Sequence, residues 1–290
     1  MSTAADRSRW ISEPSARLLA KPGFDLAARE TDGRPGFEGS KRSGGRALRA
    51  ASAELAELQE RLYAHGVDGG SRSILLVLQG MDTAGKGGIV KHVVGAVDPQ
   101  GVRYTAFKQP SKKELAHDFL WRIRKHVPKP GTIAVFDRSH YEDVLIGRVR
   151  ELAPAEEIER RYGAIERFER ELVDSGTIVL KVMLHVGFDE QRRRLLRRLR
   201  RPDKYWKFNP GDVDERELWP EYQHAYQIAI ARTSTDYAPW YVVPADHKWY
   251  ARLAVQQLLL GALESLELGW PGARYDVDAE RQRLLTLTVR

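Results

Sequence analysis

Short apolar runs recur along the chain with the length of buried β-strands. The strongest are residues 74–78 and 132–136, which are apolar at nearly every position rather than at every second one. Such continuous runs are typical of parallel strands that are covered on both faces of a sheet. With the weaker patterns included, the predicted strands are residues 74–78, 102–107, 132–136, 177–186 and 240–243.

Between these strands, apolar residues recur at the three- to four-residue spacing of helices that bury one face. On the first such helix, Leu48, Leu55, Leu58 and Leu62 share one side, and Gly66 is the expected C-cap. Strands that alternate with helices need crossover connections. The sequence therefore predicts an α/β fold with a five-stranded parallel sheet and helices on both faces. The predicted helices are residues 46–65, 111–126, 154–174, 190–200 and 249–268.

Side chains that cap helices mark two of the predicted starts. Ser111 and Glu114 have the spacing of a capping box, in which each side chain bonds the backbone N–H of the other residue. Asp189 is the expected N-cap of the helix over 190–200.

The periodic pattern also suggests how the chain is divided. Residues 1–45 carry Gly, Pro, Ser and scattered charge without a clear period, which predicts an extended N-terminal arm with little regular structure. Residues 46–270 form the predicted main domain, and residues 271–290 form a C-terminal tail. Within the main domain, we expect residues 189–215 to form a helical basic lid.

A glycine-rich segment follows the first predicted strand. Residues 80–87 read Gly-Met-Asp-Thr-Ala-Gly-Lys-Gly, and the spacing of Gly80, Gly85 and Lys86 is that of a phosphate-binding P-loop. In that motif, backbone N–H groups surround phosphate oxygens and the lysine reaches across them. The next residue is normally a Ser or Thr that holds Mg²⁺, but here it is Gly87. Asp82 is the nearest alternative oxygen ligand.

A second acidic residue belongs to the same predicted site. Asp137 ends the strand over 132–136, and the carboxyl ends of parallel strands meet at one edge of a sheet. Phosphoryl transfer needs positioning, Mg²⁺ and cations around the transferred group. We therefore expect Asp82 and Asp137 to hold Mg²⁺ or to orient the attacking phosphate oxygen. Lys86 and Arg138 complete the predicted catalytic set.

Further cations are candidates for substrate binding. Together with the loop glycines Gly80, Gly85 and Gly87, they are Arg148, Arg194, Arg198 and Lys204. Alternatives remain for several of them. Arg138 and Arg148 could pair only with neighbouring acids, and the basic helix could be merely solvated. Lys248 or Asp246 could contact substrate or cap the last helix.

Charge and composition narrow the classes of ligand. The net charge is +7 and the pI is about 9.5, which suits a nucleic-acid binder, a membrane-surface protein or an enzyme with a polyanionic substrate. Seven arginines lie between Arg192 and Arg201, and such a concentration beside a P-loop favours a ligand with many phosphates. The absence of cysteine, of a long apolar stretch and of a secretory pattern predicts a cytoplasmic protein.

Four segments together resemble the polyphosphate kinase 2 family. They are residues 78–88, residues 136–145, the Glu190-Gln191 helix that leads to residues 202–207, and residues 233–249. The resemblance covers most of residues 46–270 and implies a thymidylate-kinase-like P-loop kinase core with a helical lid. It also implies Mg²⁺-dependent transfer of the terminal phosphate of inorganic polyphosphate to a nucleotide.

The resemblance assigns residues as well. It implies that Asp82 and Asp137 are the essential carboxylates and that Lys86, Arg138 and Arg198 lie along the phosphate path. The Ser-His-Tyr-Glu-Asp form of the second segment is similar to the subgroup that accepts both AMP and ADP. Many relatives in that subgroup carry Asp where this chain has Gly87. Family members are commonly homo-oligomers, which implies the same for this chain.

Two other functions are open to a basic chain with a P-loop. An ATP-dependent nucleoside monophosphate kinase would need an adenine pocket near the lid. A nucleotide-controlled module for binding nucleic acid is the other, but the sequence has neither a guanine-reading Asn-Lys-x-Asp motif nor an RNA recognition motif. We therefore expect no nucleic-acid partner and no membrane partner.

Overall fold

The computed structural model describes residue 10 and residues 13–287. At its centre lies a sheet in the order β2-β3-β1-β4-β5, and every pair of neighbouring strands is parallel. The five parallel strands predicted from the sequence are confirmed. They are β1 (Ser73–Gln79), β2 (Val102–Ala106), β3 (Ile133–Asp137), β4 (Thr177–His185) and β5 (Trp240–Pro244).

Helices cover both faces of this sheet. They are α1 (Pro14–Leu18), α2 (Lys41–Val67), α3 (Lys86–His92), α4 (Lys112–Leu115), α5 (Leu120–Arg124), α6 (Ile146–Val149), α7 (Ala155–Asp174), α8 (Phe188–Leu199), α9 (Gly211–Glu217), α10 (Trp219–Thr233), α11 (Lys248–Glu264) and α12 (Val277–Thr286). Right-handed crossovers that run in opposite directions from the central strands place α3 and α7 on opposite faces. The α3 face also carries α2 and α11, and α10 packs beside α7. Within the described residues, no helix is both long and apolar enough to cross a bilayer.

The register of the strands brings the predicted site together. Leu78 near the end of β1 pairs with Asp137 at the end of β3, and it pairs with Val182 on β4. The segment that follows β1 and the carboxylate that ends β3 therefore emerge side by side at the carboxyl edge of the sheet.

The single helix predicted over residues 111–126 is wrong. The capping box between Ser111 and Glu114 is present, but it starts a helix of one turn, α4. A second start follows at Asp118, whose side chain accepts from the N–H of Leu120 at 3.0 Å and whose carbonyl accepts from the N–H of Trp121 at 2.9 Å. Because these bonds belong to a new helix start, the first helix cannot continue through this point.

The first long helix also differs from its prediction at both ends. It begins at Lys41, where Ser40 and Ser43 form a capping box, and it ends at Val67. Gly66 is therefore not its C-cap. A Cβ on Gly66 would lie 2.4 Å from the Cα of Gly131, so glycine is needed there for close packing of two backbones.

The described part of the predicted N-terminal arm packs onto the sheet. Leu18, Leu26 and Phe37 belong to the hydrophobic core, and the N–H of Ala20 donates to the carbonyl of Trp240 at 2.8 Å. The predicted boundary at residue 45 falls inside α2, and the predicted tail contains the exposed helix α12. Residues 1–9 and 11–12 of the predicted arm and residues 288–290 of the predicted tail lie outside the described residues. The division into domains stays a prediction.

Candidate active site

The glycine-rich segment forms a loop between β1 and α3. Gly80 has a φ of 147°, and a Cβ on it would lie 2.7 Å from the carbonyl oxygen of Leu184, so glycine is required at this position. Its N–H donates to the hydroxyl of Tyr226 at 3.0 Å, and its carbonyl accepts from Lys86 Nζ at 2.6 Å. Gly80 is buried beneath the loop and shapes it, whereas Gly85 and Gly87 line the cavity above.

That cavity has a volume of about 700 Å³ and is strongly cationic. Among the described residues, twelve Lys and Arg side chains line it, together with the two carboxylates of Asp82 and Asp137. Six of the cations lie on or just after α8: Arg194, Arg197, Arg198, Arg201, Lys204 and Lys207. The other six are Lys86, Lys91, Lys108, Arg138, Lys248 and Arg252. Such an arrangement attracts a ligand with several negative charges.

The four residues predicted to carry the chemistry face this one cavity. They are Asp82, Lys86, Asp137 and Arg138. Arg138 Nη2 lies 3.2 Å from Asp82 Oδ1, which links the acid of the loop to the end of β3. Arg138 has a φ of 65°, unusual for a residue other than glycine, and its N–H donates to the carbonyl of Leu78 at 3.0 Å. Backbone conformations of this kind are concentrated at functional sites.

Two further polar groups at this site were not assigned from the sequence. The Tyr104 hydroxyl donates to Asp137 Oδ2 at 3.1 Å, and burial followed by the charge of Asp137 raises the pKa of Tyr104 to about 12. Burial also raises the pKa of Glu142, although Arg138 and Lys86 nearby favour its charged form. A tyrosine in an edge strand carries no sequence signal beyond β-propensity. Glu142 was visible in the sequence only as a possible partner of Arg138.

Arg194 lies in the cavity wall, but its N–H groups are already bonded to the protein. Nε donates to Glu190 at 2.7 Å, and Nη1 donates to the carbonyls of Thr83 and Ala84, both at 2.9 Å. Nη2 donates to the carbonyls of Ala245 at 2.5 Å and Asp246 at 3.0 Å. A guanidinium group has five N–H donors, so all of them have an acceptor.

Arg198 and Lys204 both line the cavity, and their role in substrate binding stays a prediction. Arg198 Nη1 also donates to the carbonyl of Lys207 at 2.7 Å and to Asp212 at 3.1 Å, which ties α8 to the segment that follows it. Lys204 Nζ lies 3.0 Å from Asp203.

Arg148 does not line this cavity. It forms an ion pair with Glu159 of α7, and its guanidinium lies 5.9 Å from the centre of the Tyr162 ring. Pairing with a neighbouring acid was the alternative left open for Arg148, and it is the arrangement in the structure. A long side chain can reach either a ligand or a nearby helix, and the sequence does not say which.

A second set of cations comes from the start of α11. Lys248 and Arg252 are four residues apart, share one side of that helix and face the cavity. Together with Arg197 they also line a neighbouring cavity of about 670 Å³ that includes Lys41 and Arg193. The sequence indicates Lys248 as a possible substrate contact and Arg193 and Arg197 as part of the arginine cluster, but it does not indicate Lys41 or Arg252. Asp246 instead accepts from the N–H of Gly187 at 2.8 Å and from the hydroxyl of Thr31 at 2.8 Å.

The two carboxylates suit a magnesium ion that takes most of its ligands from substrate and water, rather than a metal site whose ligands all come from the protein. Among the described residues, no group of three or more His, Cys, Asp or Glu side chains could hold a metal. Mg²⁺ is usually bound by one or two carboxylates and takes its remaining ligands from substrate phosphates and water. Asp82 and Asp137, facing a cation-lined cavity, are a donor set of this kind.

Comparison with known proteins agrees with this geometry. The model of the polyphosphate kinase 2 (PPK2) family matches residues 38–268. The AMP/ADP-polyphosphate phosphotransferase of Meiothermus ruber is 46% identical over 248 residues, which cover 86% of this chain and 91% of the relative. The ADP-polyphosphate phosphotransferase of Rhodopseudomonas palustris is 40% identical over 252 residues, covering 83% of this chain and 85% of the relative.

A solved structure extends the similarity to the whole fold. The crystal structure of polyphosphate kinase 2 from Arthrobacter aurescens TC1 superposes with a TM-score of 0.94 at 54% identity, covering 95% of this chain and 98% of that one. The P-loop kinase-like fold implied by the sequence resemblance is confirmed. On the family match, the identities and the shared fold, the chain belongs to the polyphosphate kinase 2 family.

Proposed function

We propose that this protein transfers the terminal phosphate of inorganic polyphosphate to AMP or ADP in the presence of Mg²⁺. One observation carries the proposal: in the part of the chain that the structure describes, a phosphate loop and two carboxylates open into a cavity lined by twelve cationic side chains. Polyphosphate bears about one negative charge per unit, so a row of cations suits it as a track. The names of the Meiothermus ruber and Rhodopseudomonas palustris relatives support the same donor and acceptors.

The charged wall on the lid side of the cavity disfavours ATP as the donor. A purine base is usually held between apolar or aromatic surfaces. The wall on the lid side instead carries Arg197, Arg201, Lys204 and Lys207, and α11 adds Lys248 and Arg252. These cations suit a chain of phosphates that continues past the third unit.

The reaction follows from the positions of the four central residues. An oxygen of the nucleotide's terminal phosphate attacks the last phosphorus of polyphosphate, and the bridging oxygen leaves with a chain shorter by one unit. When bound to Asp82 and Asp137, Mg²⁺ would offset the negative charge on the reacting phosphates. Lys86 would exchange the Gly80 carbonyl for the transferred group, and Arg138 would bond the oxygens of that group.

No general base is needed for this step. Phosphate oxygens are already ionised near neutral pH, so positioning and charge supply the rate enhancement. The position of His140 is consistent with this mechanism. Its side chain is fully buried, its Nε2 lies 3.2 Å from Glu169 Oε1, and it does not face the cavity.

The direct test is to mix the protein with Mg²⁺, long-chain polyphosphate and either AMP or ADP, and to measure ADP and ATP by chromatography. We expect nucleotide phosphorylation that requires polyphosphate. Phosphate transfer that appears with ATP as the donor but not with polyphosphate would contradict the proposal and support a nucleoside monophosphate kinase.

We predict that Arg197→Ala raises the KM for polyphosphate about 3- to 10-fold, because one exposed charge contact is lost. The slope of log KM against log salt should fall by about 0.7, the value for one phosphate contact on a flexible chain. Arg192→Ala is the matched control, since Arg192 lies on the same helix, pairs with Asp189 and does not line the cavity. A wild-type salt slope in Arg197→Ala would show that Arg197 does not contact polyphosphate.

We also predict that polyphosphate binding weakens as the pH rises. Partial burial, followed by repulsion from Arg194 and Arg197, lowers the pKa of Lys248 to about 8. Below that pH Lys248 is a cation that attracts phosphate, and above it the charge is lost. The KM for polyphosphate should therefore rise a few-fold between about pH 7 and 9, at fixed ionic strength. Lys248→Arg should flatten this profile, and an unchanged profile would show that another group titrates.

Other features remain predictions. They include the relative use of AMP and ADP, a homo-oligomeric assembly, a cytoplasmic location, and the absence of nucleic-acid and membrane partners. The choice of Mg²⁺ over other divalent metals is part of the proposal.

A further inference from the structure

Side chains from the first two turns of α8 donate hydrogen bonds to backbone carbonyls of the phosphate loop. Gln191 Nε2 donates to the carbonyl of Asp82 at 3.1 Å, and Arg194 Nη1 donates to the carbonyls of Thr83 and Ala84. The two side chains are one helical turn apart and are buried, with exposures of 1% for Gln191 and 3% for Arg194. Three consecutive carbonyls of the loop are therefore held by one helix.

The side chains of Arg194 and Gln191 are held in place by further hydrogen bonds. Arg194 uses its remaining donors on Glu190 and on the carbonyls of Ala245 and Asp246, which follow β5. Gln191 Oε1 accepts from Arg216 Nη1 at 2.6 Å. The guanidinium of Arg194 thus joins the phosphate loop to the end of the sheet, so a shift of either would break several bonds at once.

Holding the carbonyls also sets the direction of the N–H groups. In a trans peptide the carbonyl of one residue and the N–H of the next point in opposite directions. Bonds from α8 to the carbonyls of Asp82, Thr83 and Ala84 therefore turn the N–H groups of the residues that follow each of them away from that helix. The N–H of Ala84 donates to the carbonyl of Met81 at 3.0 Å, so the N–H groups of Thr83 and Gly85 are the ones that this arrangement directs toward phosphate. Thr83 has a φ of 64°, a conformation that costs free energy in a residue other than glycine and needs support from its surroundings.

We propose that Arg194 and Gln191 are positioning residues, which keep the phosphate-loop N–H groups in the arrangement that binds phosphate. Arg194 acts through the loop and makes no contact of its own with polyphosphate, since each of its N–H groups already has a protein acceptor. This replaces the substrate-binding role that its charge and its place on a basic helix suggested. The inference rests on the proposed function for its kinetic consequences, but its structural part stands separately.

The test uses Arg194→Lys and Gln191→Leu, with Arg192→Lys as the control. Lysine keeps the charge of Arg194 but offers three donors from one point, so it cannot reach carbonyls on both sides. Gln191→Leu removes the loop contact without any change in charge. The Arg192 side chain is 63% exposed on the same helix and lies outside the cavity.

We expect both test variants to lower kcat by about 10- to 100-fold, because displacement of positioning groups by about 1 Å has effects of that size. The slope of log KM for polyphosphate against log salt should stay as in the wild type, since no phosphate contact is lost. Hydrogen exchange, followed by mass spectrometry, should be at least about tenfold faster for the amides of residues 81–87 in both variants. Arg192→Lys should match the wild type in every measurement.

The outcomes separate the inference from the proposed function. Wild-type loop exchange and kcat in both test variants would overturn the positioning role. A raised KM for polyphosphate in Arg194→Lys, with the KM of Gln191→Leu unaffected, would show instead that Arg194 binds phosphate directly, because lysine keeps the charge but not the planar fork of donors. A wild-type protein inactive with polyphosphate would contradict the proposed function, and the exchange rates would then still decide whether α8 holds the loop. If Arg194→Lys fails to fold, Gln191→Leu carries the test alone.

Discussion

Asp137→Asn is expected to lower kcat at least about 100-fold while the protein stays folded. Asp137 is one of two carboxylates that face the cation-lined cavity within the described part of the chain, so it would help to hold the divalent metal whose charge offsets that of the phosphates. Asparagine keeps the size of the side chain and an oxygen that can still accept from the Tyr104 hydroxyl, which now bonds Asp137 at 3.1 Å. The substitution therefore removes the charge and little else.

The measurement is steady-state ATP formation from ADP and polyphosphate across a range of Mg²⁺ concentrations. Loss of a metal ligand should raise the Mg²⁺ concentration needed for half-maximal rate, in addition to lowering kcat. Asp174→Asn is the control, because Asp174 is an exposed carboxylate at the end of α7 that does not line the cavity. An Asp137→Asn variant with wild-type turnover and wild-type Mg²⁺ dependence would mean that the active site has been misplaced.

The sheet and the core of the site were accessible from the sequence, because both depend on short-range patterns. Apolar runs such as residues 74–78 mark strands wherever both faces are covered, and the glycines of the loop are needed for its backbone path. Parallel pairing then requires the segment after β1 and the end of β3 to meet at one edge. The convergence of Asp82, Lys86 and Asp137 followed from those two facts.

Helix boundaries were less accessible. The break within residues 111–126 depends on which backbone groups Asp118 bonds, and the pattern of apolar residues does not contain that information. Helix α10 was not predicted, although Tyr222, Ala225, Tyr226 and Ala229 have helical spacing. The mixture of aromatic and small residues on its buried side gave a weak signal.

The roles of individual arginines were the least accessible. Arg194 and Arg197 are the same type of residue and lie three positions apart on one helix. Yet Arg194 is buried against backbone carbonyls, whereas Arg197 is exposed in the cavity wall. What separates them is the position of the phosphate loop and of the end of β5 around the helix. Those contacts join segments more than 50 residues apart, which local sequence patterns do not encode.

Lys181→Met is expected to lower the free energy of unfolding by about 3 to 5 kcal/mol. Lys181 lies on β4 with no exposed surface, and its Nζ donates to Glu169 of α7 at 2.6 Å, to the Tyr141 hydroxyl at 3.0 Å and to the carbonyl of Thr233 at 2.7 Å. Burial alone raises the pKa of Glu169, but the charges and hydrogen bonds of Lys181 and His140 outweigh it and lower that pKa. Methionine fills similar space but leaves a buried carboxylate without its main partner.

We expect this loss of unfolding free energy because the Lys181–Glu169 ion pair is buried; an exposed ion pair should contribute much less. Adding Glu169→Gln to Lys181→Met should recover at least about half of the stability, because the uncompensated charge is removed while an acceptor remains for the Tyr141 hydroxyl. The Arg124–Glu171 pair lies on the same side of the fold at 2.7 Å, but both side chains are more than half exposed. Glu171→Gln should therefore change the free energy of unfolding by less than about 1 kcal/mol in urea titrations. Equal losses from Lys181→Met and Glu171→Gln would show that desolvation does not control the stability of this network.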